Sequence, residues 1–489
     1  MLQIKNGRIL LFCIPFLLIG SLNAEDFLNL TLNECLELGN KYNFDIKKSD
    51  YDRLSSQETT KQIKSQYEPS IILNAKKADI ESSGANPLYG TESTNELLNI
   101  IVNKKLQYSG GILSLEWSNE KNSTDSIFQS SELQSINPLY DSNVILKYSQ
   151  PLMKNFAGKN DKRSIEMSRL NEDIAHLSLD FQKNILSNKI EKAYLSLNFA
   201  KENLKTQNKY LERAEKLLII NREKFEDGLI EEVDIIANEA AITLREASIL
   251  LAEDSVRAAE DNLKNLIGLP ADKRCSFSEK PLTPFKHQEI KEEEMIQKAL
   301  AKRLELRIIE NYMKINSIDI GVKKNEKLPS LDLTTQYGMG NAGDNWNDNY
   351  DAISSGDNPA WYIGLSLTVY PLNKDAKSQM QQSIYTYEKS IAELEQQELN
   401  IATECKVVTR KINTQALYVK AALKSLEMQR EKLRLEEIKF NQGRSSIKWV
   451  LDYQDDLNRA QIEVHKALTD YAKATADLKL ITEDSKGFR

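Results

Sequence analysis

Residues 361–371 read Trp361-Tyr362-Ile363-Gly364-Leu365-Ser366-Leu367-Thr368-Val369-Tyr370-Pro371, and residues 372–442 that follow contain neither glycine nor proline. Trp361, Ile363, Leu365, Leu367 and Val369 alternate with Tyr362, Gly364, Ser366, Thr368 and Tyr370, the period of a strand with one apolar and one polar face. Its length suits a transmembrane β-strand, about 9–11 residues. A half-buried strand in a soluble sheet has the same period, so period alone does not choose between them. The run behind Pro371 is much longer than an ordinary globular helix of 8–20 residues. A strand of membrane length therefore leads almost directly into a very long helix.

The same order occurs twice. An offset of 260 aligns Glu34–Leu73 with Glu294–Leu333 without a gap, placing Pro69 on Pro329, Ile71 on Leu331 and Leu73 on Leu333. An offset of 215 aligns Phe225 and Gly228 with Phe440 and Gly443, and Ala252, Val256, Ala259, Leu263 and Leu266 with Ala467, Tyr471, Ala474, Leu478 and Ile481. Pro151 corresponds to Pro371. Each half reads helix, strand, loop, strand, very long helix, tight turn, shorter helix.

These boundaries follow: a leader at 1–24, a first repeat at 25–275, a linker at 276–290 and a second repeat at 291–489. Strands fall near 69–80, 142–150, 329–338 and 361–370, and the long helices occupy 159–267 and 372–486. Leu457, Ala460, Val464, Ala467, Tyr471, Ala474, Leu478 and Ile481 step alternately by three and four, a heptad seam for a neighbouring helix.

Composition agrees. The chain of 489 residues has only 18 glycines and 11 prolines, about half the usual frequencies, which argues against three compact domains. A net charge of −7 does not mark a nucleic-acid binder. Lys5 and Arg8, an apolar run from Ile9 to Ile19 and Ala24 have the layout of a secretory signal peptide. Beyond it, Cys35, Cys275 and Cys405 are too few and too scattered for a disulfide framework. No later segment is long and apolar enough for a membrane helix, so an exported chain crossing a membrane must use strands. Four strands cannot close a barrel on a polar interior, for which about eight are needed; several copies must share one barrel.

The pieces Leu328-Pro329-Ser330-Leu331 entering a strand, Tyr148-Ser149-Gln150-Pro151-Leu152 leaving one, and the two Phe-x-x-Gly turns, in duplicate and in order, resemble the TolC-type outer-membrane efflux and secretion channels (outer membrane factors). The resemblance covers essentially the whole mature chain. It implies a membrane β-barrel joined to a long α-helical coiled-coil barrel. In that trimeric channel-tunnel each protomer of a homotrimer gives four strands to a twelve-stranded wall. It also implies outer-membrane lipid around the barrel, a periplasmic adaptor docked on the helix tips, and an inner-membrane pump serving either efflux or type I secretion.

By the same resemblance, the docking tips are Phe225, Gly228 and Leu229 in the first repeat and Phe440, Gly443 and Ser445 in the second. The periplasmic constriction falls at Asp452 and Trp449, the positions of two entrance acids, of which one is retained and one is aromatic here. Asp455 and Asp456 follow closely and are able to substitute. Asp234 matches an acid that helps hold the entrance closed, and its arginine partner's position is Ser445. An ordinary role near a helix start competes for Asp452.

The insertion at 81–141 departs from the repeat. Leu98–Gln107, Gly110-Gly111 and Ile112–Ser118 read as a two-strand hairpin, expected to extend the outer rim, with cover over the mouth or extra strands in the wall as the other possibilities. Residues 341–359 are read as the outer loop of the second half.

Catalysis has no support. His176, His287 and His465 lack metal-ligand spacing, no nucleophile grouping can be assembled, and neither cofactor nor metal is implied. The competing class is a periplasmic coiled-coil adaptor or scaffold without a membrane barrel, which leaves the repeated amphipathic strands unexplained.

Overall fold

The structure, a computed structural model, describes residues 28–81, 92–124, 137–270, 272–278 and 289–482. The expected leader, most of the expected linker and His287 lie outside the described residues.

The duplication is visible element by element. Helices α1 (Leu32–Tyr42) and α2 (Phe44–Ser65) have their counterparts in α5 (Glu292–Lys302) and α6 (Leu304–Glu326). The long helices α3 (Lys159–Glu226) and α8 (Lys374–Asn441) are both 68 residues, and the shorter returns α4 (Glu232–Leu266) and α9 (Ile447–Thr482) are 35 and 36. Such lengths follow from the missing breakers. Helices of this kind persist only with lateral packing.

Local signals set the ends. Thr31 caps α1 in a reciprocal box, its hydroxyl accepting from Glu34 N–H while Glu34 accepts from Thr31 N–H at 2.7 Å. At the inner ends of α3 and α8, Gly228 and Gly443 both adopt φ of 72°. Leu229 N–H reaches back to Lys224 C=O at 2.8 Å, and Arg444 N–H to Lys439 C=O at 2.9 Å. This six-to-one bond with a left-handed residue before it is the Schellman ending, which glycine accepts at least cost.

The strands form one antiparallel sheet: β2 (Ser70–Glu81), β3 (Glu92–Lys105), β4 (Ile112–Thr124), β5 (Leu139–Pro151), β7 (Ser330–Gly343) and β8 (Pro359–Thr368), in the order β2-β3-β4-β5-β7-β8. A separate parallel pair joins β1 (Leu28–Leu30) to β6 (Cys275–Phe277).

Two expectations need correction. The insertion's hairpin is not a rim appendage. β3 pairs with β2 along its whole length, and β4 pairs with β5, so both lie inside the sheet and the chain supplies six strands rather than four. The physical reason is parity: β2 and β5 already run in opposite directions, so a pair of strands fits between them without reversing either. The Gly110-Gly111 turn consequently lies at the helix end of the sheet. A Cβ on Gly110 would stand 2.6 Å from the Gly158 nitrogen, beside the start of α3. Lys105 pairs there with Asp161 at 2.8 Å. The second correction concerns residues 341–359, which contain a helix, α7 (Trp346–Ser355), capped by Asn345 accepting from Asp348 N–H.

The described chain falls into two compact units. One comprises Lys48–Gln182 and Ala299–Thr403 and holds the six-stranded sheet. The other comprises the chain up to Lys47, Lys183–Lys298 and the part from Glu404 on, and is built on helices. In it the heptad seam of α9 is packed as its spacing requires. Val464 and Ala467 lie against Val419 and Ala422 of α8, and Ala474 and Leu478 against Ile412 and Met295. Among the described residues Cys35, Cys275 and Cys405 form no disulfide; burial lifts the Cys35 thiol to about 12, leaving it protonated and inert.

Candidate functional site

The two helix turns, related by sequence, are unlike in surroundings. Phe440 is buried against Leu217, Leu433, Ile447, Val450 and Leu457. The Lys224 ammonium sits 3.7 Å over its ring and donates to Phe440 C=O at 3.1 Å, and burial pulls that lysine's pKa down. Phe225, its repeat partner, is exposed, and so are Leu229, Val233 and Ile236 along the start of α4. The matching positions after Gly443 are Arg444, Lys448 and Leu451. One turn is therefore apolar at its surface and the other basic.

Asp234 occupies the third position of α4 and accepts from Glu231 N–H at 3.3 Å, closing a capping box in which the Glu231 side chain takes part. The hydroxyl of Ser445 donates to Glu436 Oε1 at 2.5 Å, within its own turn. That hydroxyl, with Lys439, holds the Glu436 carboxyl below its usual range. The structure thus does not bring Asp234 and Ser445 together as partners; each satisfies its own turn.

On α9 the residues expected at the constriction form a stripe. Trp449, half exposed, leans on Tyr453 with ring centroids 6.0 Å apart. Asp452 and Asp455 are exposed and three residues apart, hence on one side of the helix. Asp456 is turned away from them: it accepts from Lys432 at 2.8 Å and Arg459 at 2.8 Å, and the Lys432 bond leads the effects that lower its pKa. Asp455 shifts upward instead, chiefly from desolvation of the covered part of its side chain, of which 53% stays exposed.

A residue the sequence reading passed over completes this cluster. Arg245 of α4 is only 4% exposed. Its guanidinium lies 3.7 Å over the Tyr210 ring and donates to Gln454 Oε1 at 3.3 Å and to Asp455 Oδ1 at 3.4 Å. Burial brings its pKa to about 10, so it remains charged at neutral pH. The signal was present. At the 215 offset Arg245 falls on Ala460, a heptad-seam position, and a charge on a seam requires a partner. Arg245 links α4 to α9 inside one protomer, tying the apolar turn's helix to the acidic stripe's helix.

Among the described residues, no group of three or more His, Cys, Asp or Glu side chains is placed to hold a metal ion. No described helix is long and apolar enough to cross a membrane.

Residues 295–482, nearly all of the second repeat, match the family model described as outer membrane efflux protein. That match spans less than half of the chain. No curated protein matches it by sequence. Solved outer-membrane channels have the same fold. CmeC of Campylobacter jejuni is 15% identical, with a TM-score of 0.67, covering 92% of this chain and 85% of the channel. VceC of Vibrio cholerae is 12% identical, with a TM-score of 0.66 and 92% and 95% covered. The open state of MtrE from Neisseria gonorrhoeae is 16% identical, with a TM-score of 0.66 and 92% and 88% covered. Identities this low show the fold.

Proposed function

We propose that this chain is an outer-membrane efflux channel and that three copies of it close into one exit duct. It carries cargo passively from an inner-membrane pump and a periplasmic adaptor to the exterior. The observation that carries this reading is the open sheet. Among the described residues its end strands, β2 and β8, have no neighbour on their outer sides. Unpaired backbone groups are not tolerated in hydrocarbon, so a second copy must pair with each edge. The helices support the same conclusion. The described part of α9 buries thirteen residues and that of α4 only four, which leaves Leu244, Leu250 and Leu251 of α4 uncovered for a neighbouring copy.

In this assembly the Phe225–Leu229 and Phe440–Ser445 turns are the adaptor-facing tips, the first apolar and the second basic. Asp452 and Trp449, repeated about the three-fold axis, narrow the periplasmic entrance, where the acids concentrate negative potential. Opening is a rigid shift of packed helix pairs, biased by an adaptor that prefers the open arrangement. The Arg245 contacts to Asp455 and Gln454 make α4 and α9 of one protomer move together. Fractionation followed by native mass measurement tests the assembly: the chain is expected in the outer-membrane fraction as a three-copy species. A soluble periplasmic protein, or a different copy number, contradicts the reading.

A further inference from the structure

We infer that the inserted hairpin β3–β4 is part of the membrane wall. Each copy then gives six strands to the barrel, and the exit is wider than four strands per copy would build. This rests on the outer-membrane duct proposed above.

The sheet register carries the inference. Reading straight across it, Ile71, Val102, Leu115, Leu146, Tyr337 and Trp361 stand opposite one another on successive strands. The row two residues nearer the outer end is Leu73, Ile100, Trp117, Val144, Met339 and Pro359. Side chains opposite one another in register point to one face, so both rows are apolar across all six strands. The hairpin's share of these rows is continuous with that of its neighbours.

On the other face, one row is Ser70, Asn103, Ser114, Lys147, Gln336 and Tyr362, and another begins Asn74, Asn99, Ser118 and Asn143. A mixed row lies between them, with Glu116 flanked by Ile101 and Ile145. Polar side chains of the hairpin bond along this face, Asn99 to Glu116 at 2.6 Å and Ser114 to Asn103 at 2.6 Å.

Outward, the apolar rows give way: two residues on, Ala75 and Leu98 stand in register with Asn119, Ser142 and Asn341. Four residues outward from Leu73, Ile100 and Trp117 stand Lys77, Glu96 and Lys121, opposite one another in register. Glu96 lies 2.9 Å from Lys77 and 3.9 Å from Lys121. At the inner end, Lys105 is anchored to Asp161 beside the start of α3. The hairpin therefore spans the same height as its neighbours, and its 14- and 13-residue strands are long enough to cross. A rim extension would have no reason to keep a lipid face and a water face at that height.

Barrel diameter grows roughly linearly with strand number. Three copies of six strands make eighteen, so the barrel is about half again as wide as one of twelve. Additional strands relax the limit on cargo size at the membrane exit. They do so without touching the helical entrance.

Tryptophan quenching in reconstituted full-length protein tests this. One variant keeps only Trp117 and another only Trp361, the other tryptophans being Phe. Each is placed in vesicles whose acyl chains carry bromine at mid-chain. Emission from both is expected to fall at least about twofold against unbrominated lipid. Quenching of Trp361 without quenching of Trp117 overturns the wall assignment and leaves the duct standing. Quenching of neither overturns the outer-membrane reading and this inference with it. A second measurement does not depend on tryptophan replacement. In protein whose native cysteines are serine, Asn99→Cys is expected to react with a membrane-impermeant maleimide at least fivefold faster than Ile100→Cys. Equal reaction at both positions overturns the inference.

Discussion

Asp455 and Asp456 are adjacent and behave oppositely, which makes them a sensitive probe of the cluster around Arg245. Asp456 accepts from Lys432 and Arg459, so its folded pKa lies below the unfolded value, near 3.9. Its stabilisation is present above that pH and is lost as pH falls through the folded value. Asp455 has a folded pKa raised by burial, with Asp456 adding to the rise. Its ionised form is disfavoured in the folded protein, so stability falls as pH rises through its folded value. Asp456→Asn is accordingly expected to lower the melting temperature at pH 7, by the equivalent of less than about 1 kcal/mol for a partly solvated pair. Asp455→Asn is expected to leave it unchanged or raise it. Thermal melts of the assembled protein at pH 7 check both; a larger loss for Asp455→Asn would mean that the Arg245 contact outweighs burial. Arg245 itself was legible only by comparing the repeats, where a charge replaces the seam alanine Ala460. Read as a single helix face, it passes for one more solvated cation.

Among the elements, the turns at Gly228 and Gly443 separate conformational strain from contact. Nothing lies within 4 Å of a Cβ built on either glycine. Alanine there meets open space, and its cost is the left-handed backbone alone, about 1–2 kcal/mol. Gly228→Ala and Gly443→Ala are each expected to lower the melting temperature by that equivalent, and asparagine at either position by less, since asparagine tolerates the left-handed region. Equal losses for alanine and asparagine would show that the turn does not depend on φ. These turns were readable because a single glycine interrupts each long breaker-free stretch. The hairpin was harder. The alternation of Leu98, Ile100 and Val102, and of Leu113, Leu115 and Trp117, identifies strands, but a period does not name a neighbour. Pairing is decided by register over a dozen residues and by the direction of β2 and β5, neither of which is a local property. The helix α7 was hidden for a related reason: its Asn- and Asp-rich sequence reads as loop, while Asn345 and Asp348 form its cap.

At the scale of the whole molecule, the chain has two repeats of one plan put to different uses. The second repeat buries its return helix α9 on α8, while the first leaves much of α4 uncovered and its turn apolar. Duplication was legible from the two offsets and from prolines flanking the strand regions. The proposed assembly was legible only as a necessity, because an open sheet with a lipid-compatible face needs further copies to close it. The division of labour between the tips was not legible, since Phe225 and Phe440 look alike until burial distinguishes them. In the resulting account the membrane barrel is fixed, and the helix tips open and close. Disulfide cross-linking of the tips between protomers tests that most directly, through cysteines introduced beside Gly443 and an export assay in cells that also make the adaptor and pump. Export is expected to stop when the cross-link forms and to return on reduction, with the trimer intact throughout. Export that continues at full rate through efficiently cross-linked tips would contradict the account.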